Sequence, residues 1–161
     1  MLTWILTFVT IPVLMLLHEG GHALSATLLG YRVEGLGIAP RTYMPYISVH
    51  IQRREYWRKI IFMVSGCAVT VALFAWAYHY TFWGLEWLFY ALWLQIAIET
   101  NPFFSDFSML LFERDIKENA KEDITNMQEA VKACWFTNRW YAHVMAWTLL
   151  ISVLMSVKPE F

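Results

Sequence analysis

The N-terminal segment constrains this chain more than any other part, because an apolar run leads directly into ionisable side chains. Residues 2–17 contain no charged side chain, and His18-Glu19-Gly20-Gly21-His22 follows without interruption. A helix through such a run is apolar enough to lie in a membrane, where ionisable groups are costly unless they serve a function. The pattern therefore predicts a membrane-embedded helix that carries a functional site.

The spacing of the two histidines indicates a metal site. Residues four apart project from one face of a helix, one turn from each other, so His18 and His22 can reach the same ion. Glu19 lies beside the first histidine and is suited to take a proton from a water molecule at that ion. This pattern is typical of zinc peptidases, and it predicts one zinc ion with Glu19 as catalytic base.

Composition also favours a membrane protein. Hydrophobic residues make up 58% of the chain and charged residues only 16%, which is more apolar than soluble domains usually are. The formal net charge of -1 argues against a nucleic-acid partner. A cleaved signal peptide is disfavoured, because no basic segment precedes the apolar run and no small-residue cleavage site follows it. We expect one domain over residues 1–161, with the lipid bilayer as its surroundings.

Hydropathy and length predict four transmembrane helices, over about residues 2–29, 57–80, 85–112 and 140–157. Eleven of the 12 lysines and arginines fall between spans one and two, counting the first turn of span two, or between spans three and four. The positive-inside rule places both of these loops in the cytoplasm and both termini outside. The site should then lie toward the cytoplasmic side of a multi-pass protein.

The two loops have patterns of their own. Apolar and polar residues alternate over 47–52, which predicts a small β-hairpin within 31–52, with 33–38 as the partner strand and 39–45 as the turn. A plain connecting loop is the alternative. Residues 113–138 carry charges of both signs and an apolar side, which predicts a cytoplasmic amphipathic helix before the last span. The expected fold is thus an all-α membrane protein with one hairpin.

A catalytic zinc needs a third protein ligand and an open position for water. Asp106 follows Asn101-Pro102, and Pro102 should kink or unwind the third span because it lacks an N–H donor. Broken backbone at membrane depth is tolerated mainly where it lines a polar cavity. His18 and Asp106 lie about 24 and 31 Å into their spans at helical rise, and a break at Pro102 would shorten the second figure, so the two can meet. Asp106 is favoured over its rival Glu99 because it lies at the break. The remaining histidines are expected at interfaces or in loops: His50, His79 and His143.

Together these motifs resemble the site-2 protease family of intramembrane zinc metalloproteases. The likeness rests on the His-Glu-x-x-His motif in an early span, the Asn-Pro…Asp element in a later one, and Gly66 in the span between. It covers roughly residues 2–112. The resemblance implies that zinc is held by three residues, which are His18, His22 and Asp106. It further implies that Glu19 activates water and that Asn101 helps to hold substrate.

The family resemblance also implies an activity, which is hydrolysis of a peptide bond in or near a transmembrane segment of a membrane protein. This activity is compatible with a homo-oligomer or with a regulatory membrane partner. The chain departs from the family pattern at Phe107, at Cys67 and in its short step from Asn101 to Asp106. Two alternatives therefore stand beside the active protease: an inactive zinc-binding relative, and a small membrane scaffold or regulator.

Overall fold

The computed structural model describes residues 1–38, 45–50, 56–80, 85–103, 105–112 and 132–157. Most of them are helical, and two strands form one antiparallel sheet. The elements are, in chain order, α1 (Leu2–Leu28), β1 (Arg32–Ile38), β2 (Pro45–His50), α2 (Tyr56–Tyr80), α3 (Glu86–Glu99), α4 (Asp106–Leu111) and α5 (Asn138–Ser156). The chain divides into two compact units, Met1–Ile96 and Ala97–Lys158, with the boundary within the last turn of α3. The single domain over 1–161 stays a prediction.

Helix α1 confirms the first predicted helix and runs through Pro12. Its end is made by Gly30, which has a φ of +75° that glycine adopts at little cost. The Gly30 N–H donates to the Thr27 carbonyl at 3.1 Å, and the Tyr31 N–H donates to the Ala26 carbonyl at 2.8 Å. These two bonds satisfy carbonyls that the helix end would otherwise leave open. The chain can therefore turn directly from the helix into β1.

The predicted hairpin is confirmed. Strands β1 and β2 pair antiparallel, with Val33 opposite Val49, and both strands lie against α1. Pro45 begins β2 instead of lying in the turn, and the first position of a strand tolerates a residue without an N–H. Residues 39–44, where the rest of the predicted turn falls, lie outside the described part of the chain, as do residues 51 and 52.

Small residues let α2 lie close against α1 in the first unit. A Cβ atom at Gly21 would lie 2.8 Å from the carbonyl oxygen of Ser65 and 3.2 Å from Cα of Gly66. Helices in membranes commonly associate through such small residues, because their backbones can then approach closely. Near the start of α1, Thr7 Oγ1 donates to the Trp87 carbonyl of α3 at 3.1 Å. Both contacts hold α1 in place within this unit.

Two of the described helices, Leu2–Leu28 and Tyr56–His79, are long and apolar enough to cross a membrane. Large apolar side chains cover the outer surface of α1, and Phe8, Val9 and Leu24 are each more than 60% exposed. An apolar surface of this kind is costly in water and indicates association with a membrane. The multi-pass topology of four spans and its orientation stay predictions.

The second unit contains the break that Pro102 predicts. Helix α3 ends at Glu99 and α4 begins at Asp106, so the predicted span over 85–112 consists of two helices with a turn between them. The bounds of α5, Asn138–Ser156, agree closely with those of the predicted last helix, 140–157. Residues 113–131 of the predicted amphipathic helix lie outside the described ranges. Its predicted end at 138 is wrong, because residues 134–137 form a turn before α5 begins at Asn138.

Candidate metal centre

The two motif histidines face the same way on α1, as their spacing predicts. Their Nε2 atoms lie 3.1 Å apart, and their ring planes meet at 83°. Two nitrogens bound to one tetrahedral zinc ion at its usual bond lengths are about 3.3 Å apart. The two rings therefore already have the separation that a shared ion requires.

A backbone carbonyl of α2 orients the second histidine. Nδ1 of His22 lies 2.7 Å from the carbonyl oxygen of Phe62, in a buried position. Because a carbonyl only accepts, Nδ1 carries the proton, and Nε2 presents its lone pair toward His18. Metal-binding histidines are commonly held in this way through their second nitrogen. Helix α2 thus fixes the orientation of the His22 ring.

Two serines support this arrangement. Ser65 Oγ donates to the same Phe62 carbonyl at 2.6 Å and lies 2.8 Å from Ser25 Oγ. It is also 3.3 Å from His22 Nδ1, while Ser25 Oγ donates to the His22 carbonyl at 3.0 Å. Hydroxyl groups in a weakly polar interior bond to one another and to the backbone, because leaving them unsatisfied is costly. The network fixes the turn of α1 that carries His22.

Gly66 makes room for both imidazole rings. A Cβ atom there would lie 2.5 Å from His22 Nε2, 2.6 Å from His18 Cε1 and 2.7 Å from His18 Nδ1. Real Cβ atoms do not approach other atoms so closely, so any larger residue would displace the rings. The space for a metal site on this face of α1 therefore depends on glycine at position 66.

In the second unit, hydrogen bonds hold the broken turn before Asp106. Ser105 caps α4, since its Oγ accepts from the Ser108 N–H at 3.2 Å, and Asp106 thereby begins the first turn of that helix. Ser108 Oγ donates to the Asn101 carbonyl at 2.9 Å. His143, from α5, places Nε2 3.2 Å from the Thr100 carbonyl. The backbone groups that Pro102 frees are thus partly satisfied by side chains.

Asn101 takes part in this turn through its own side chain. Its Nδ2 donates to the Ile98 carbonyl at 2.5 Å, and its Oδ1 accepts from the Phe103 N–H at 2.9 Å. The residue is buried, with 8% of its surface exposed. These bonds give Asn101 a structural part in closing the break, and its part in holding substrate stays a prediction.

Three of the residues that the sequence singles out have ligand-type atoms close to one another. One ligand atom from each of His18, His22 and Asp106 lies within 4.8 Å of the other two, and this group could hold a metal ion. Two imidazole nitrogens and one carboxylate oxygen make a donor set that suits catalytic zinc, which keeps a fourth position open for water. Within the described residues, Glu99 does not belong to this group; it is buried at the end of α3.

The other histidines occupy different places. His79 is exposed near the end of α2, where its ring meets Tyr78 edge-on at 5.7 Å. His143 bonds to the broken turn, and His50 ends β2.

Glu19 is half-buried and lines a cavity of about 390 Å³ between α1 and the hairpin. The proposed base therefore faces a space that another molecule can enter.

Sequence reasoning missed the groups that support the ligands. The Phe62 carbonyl has no signal in the sequence, since every residue carries one, and the roles of Ser25, Ser65 and His143 depend on helix packing. Among these groups, only the cap of α4 has a signal in the sequence, because serine is a preferred N-cap residue and Ser105 directly precedes Asp106.

No family model, no curated protein and no solved structure matches this chain. The resemblance to site-2 proteases therefore rests on the motifs named above.

Proposed function

We propose that this protein is a zinc-dependent intramembrane endopeptidase similar to the site-2 proteases. The observation that carries the proposal is the grouping of His18, His22 and Asp106, together with the Phe62 carbonyl, whose bond to Nδ1 leaves His22 Nε2 facing His18. A purely structural histidine pair in a helix bundle needs no third ligand. A carboxylate grouped with the two rings is expected when they serve one ion.

The chain's own residues would perform hydrolysis as follows. Zinc, when bound, would polarise the scissile carbonyl and make water a better nucleophile near neutral pH. Glu19 accepts a proton from the attacking water as the new C–O bond forms. It then gives that proton to the amine as the C–N bond breaks, so the carboxylate is regenerated. Glu19 suits this role because it lies on α1 between the two ligands and lines an open cavity.

The substrate class follows from the surroundings. The apolar outer surface of α1 and the apolar α2 support a site at membrane depth. We therefore propose a transmembrane protein as substrate, cleaved in or next to its span. The proposal includes four spans, both termini outside and the site toward the cytoplasm, as the distribution of lysine and arginine predicts.

Removal and return of the metal tests this function. The purified protein in detergent, incubated with a set of single-span model membrane proteins, should release fragments that mass spectrometry identifies. A zinc chelator should reduce their release at least about a hundredfold, because both water activation and carbonyl polarisation are lost. Added zinc should restore it. Fragment release that continues unchanged in chelator would reject a metalloprotease.

Zinc that is bound without any cleavage would instead support the inactive zinc-binding relative. A protein that neither binds zinc nor cleaves would support the membrane scaffold.

A further inference from the structure

The cavity beside Glu19 is built from one side of α1 and the hairpin. Leu16, Glu19, Gly20 and Ala23 recur at helical spacing and form one wall, and the hairpin supplies the facing wall, which includes Leu36 and Tyr46. Among the described residues that line this cavity, Glu19 is the one that carries a charge, and the others are almost entirely apolar. The cavity has a volume of about 390 Å³, which is at the small end of the range of ligand-pocket volumes. We call this space the Glu19 pocket.

We propose that the Glu19 pocket receives a large apolar side chain of the substrate, from the residue that carries the leaving amine. The proposal rests on the function proposed above. Glu19 must reach the leaving nitrogen to protonate it, so the side chain attached to that residue lies next to Glu19. The neighbouring space has apolar walls, and residues drawn from a transmembrane segment are mainly apolar. Leucine, methionine or phenylalanine would therefore bury its surface there.

Two glycines shape the pocket. A Cβ atom at Gly37 would lie 2.8 Å from the Tyr46 hydroxyl, so the Tyr46 ring lies directly on the hairpin backbone and forms a firm wall. Gly20 differs, because a Cβ atom there would meet nothing within 4 Å. A Cβ atom at position 20 thus has room, and a leucine there would occupy space that Gly20 now leaves open beside Glu19.

Gly20→Leu tests this inference. The model membrane proteins carry varied residues through their spans, and mass spectrometry reads the new N-terminal residue of each fragment. Wild-type fragments should begin mainly with leucine, methionine or phenylalanine. In Gly20→Leu the ratio of large to small N-terminal residues should fall at least about tenfold, the size of effect typical for filling an apolar specificity pocket. Its zinc content should match wild type, which shows that the fold and the metal site persist.

Gly35→Leu is the matched control. It adds the same side chain at another open glycine, which does not line the pocket, and its fragments should match those of wild type. A Gly20→Leu protein that cleaves with wild-type preference would overturn the inference.

A binding measurement separates this inference from the proposed function. Model substrates with a photoreactive benzophenone side chain in the span are irradiated with the Glu19→Gln protein, and the cross-linked residues are identified. Cross-links to Leu36 or Tyr46 support the pocket, even if wild type cleaves nothing and the proposed function fails. Cleavage by wild type with no cross-link to the pocket walls would overturn the pocket alone.

Discussion

Glu19→Gln should reduce peptide-bond cleavage by about a hundredfold to ten-thousandfold, the usual contribution of a general base. Glutamine has nearly the shape of glutamate but cannot accept the proton of the attacking water. The side chain at position 19 lines the pocket and is not one of the three grouped ligands. Zinc content should therefore remain close to that of wild type.

The measurement compares fragment release and zinc content for wild type and the variant in the same detergent. Glu34→Gln is the matched control, because Glu34 is exposed on β1, where its carboxylate accepts a hydrogen bond from Ser48 Oγ at 3.4 Å, and it does not line the pocket. It should cleave like wild type. If Glu19→Gln retained full cleavage, another group would have to be the base, and the mechanism would be wrong.

Gly66→Ala should weaken zinc binding at least about tenfold, as changes beside metal ligands typically do, and cleavage should fall with it. The added methyl would lie 2.5 Å from His22 Nε2, so at least one ring must move. Alanine stabilises a helix interior by about 1 kcal/mol relative to glycine. Loss of zinc would therefore report on the displaced rings and not on a weakened α2.

Competition with a chelating dye measures this change in affinity. Gly20→Ala provides the control, since it makes the same substitution on α1 at a position where the methyl meets no atom within 4 Å. Its zinc affinity should equal that of wild type. Equal affinities for Gly66→Ala and wild type would contradict the placement of both rings against α2.

Local patterns in the sequence predicted the elements that bear the site. The uncharged run before His18 predicts α1, the alternation over 47–52 predicts β2, and Pro102 predicts the break before Asp106. Each of these signals acts within a few residues along the chain, through hydrophobic periodicity or a missing donor. They favoured Asp106 while leaving Glu99 open, and the family resemblance completed the set of His18, His22 and Asp106 that the structure groups.

The supporting contacts could not be predicted in the same way. His22 bonds to a carbonyl 40 residues away, and His143 bonds to one 43 residues away. Such partners depend on how helices pack, which a single sequence does not specify. The pocket is a similar case, because it needs the hairpin to lie against the Glu19 side of α1.

The proposed metal site is tested most directly by the zinc content of variants at its third ligand. Purified wild type, Asp106→Ala and Glu99→Ala should be compared for zinc content per chain by elemental analysis. We predict about one zinc ion in wild type and in Glu99→Ala, and loss of most of it in Asp106→Ala, because two histidines alone leave a catalytic zinc site incomplete. Zinc retained by Asp106→Ala but lost from Glu99→Ala would contradict a zinc site made by His18, His22 and Asp106. A wild-type protein without zinc would contradict it as well.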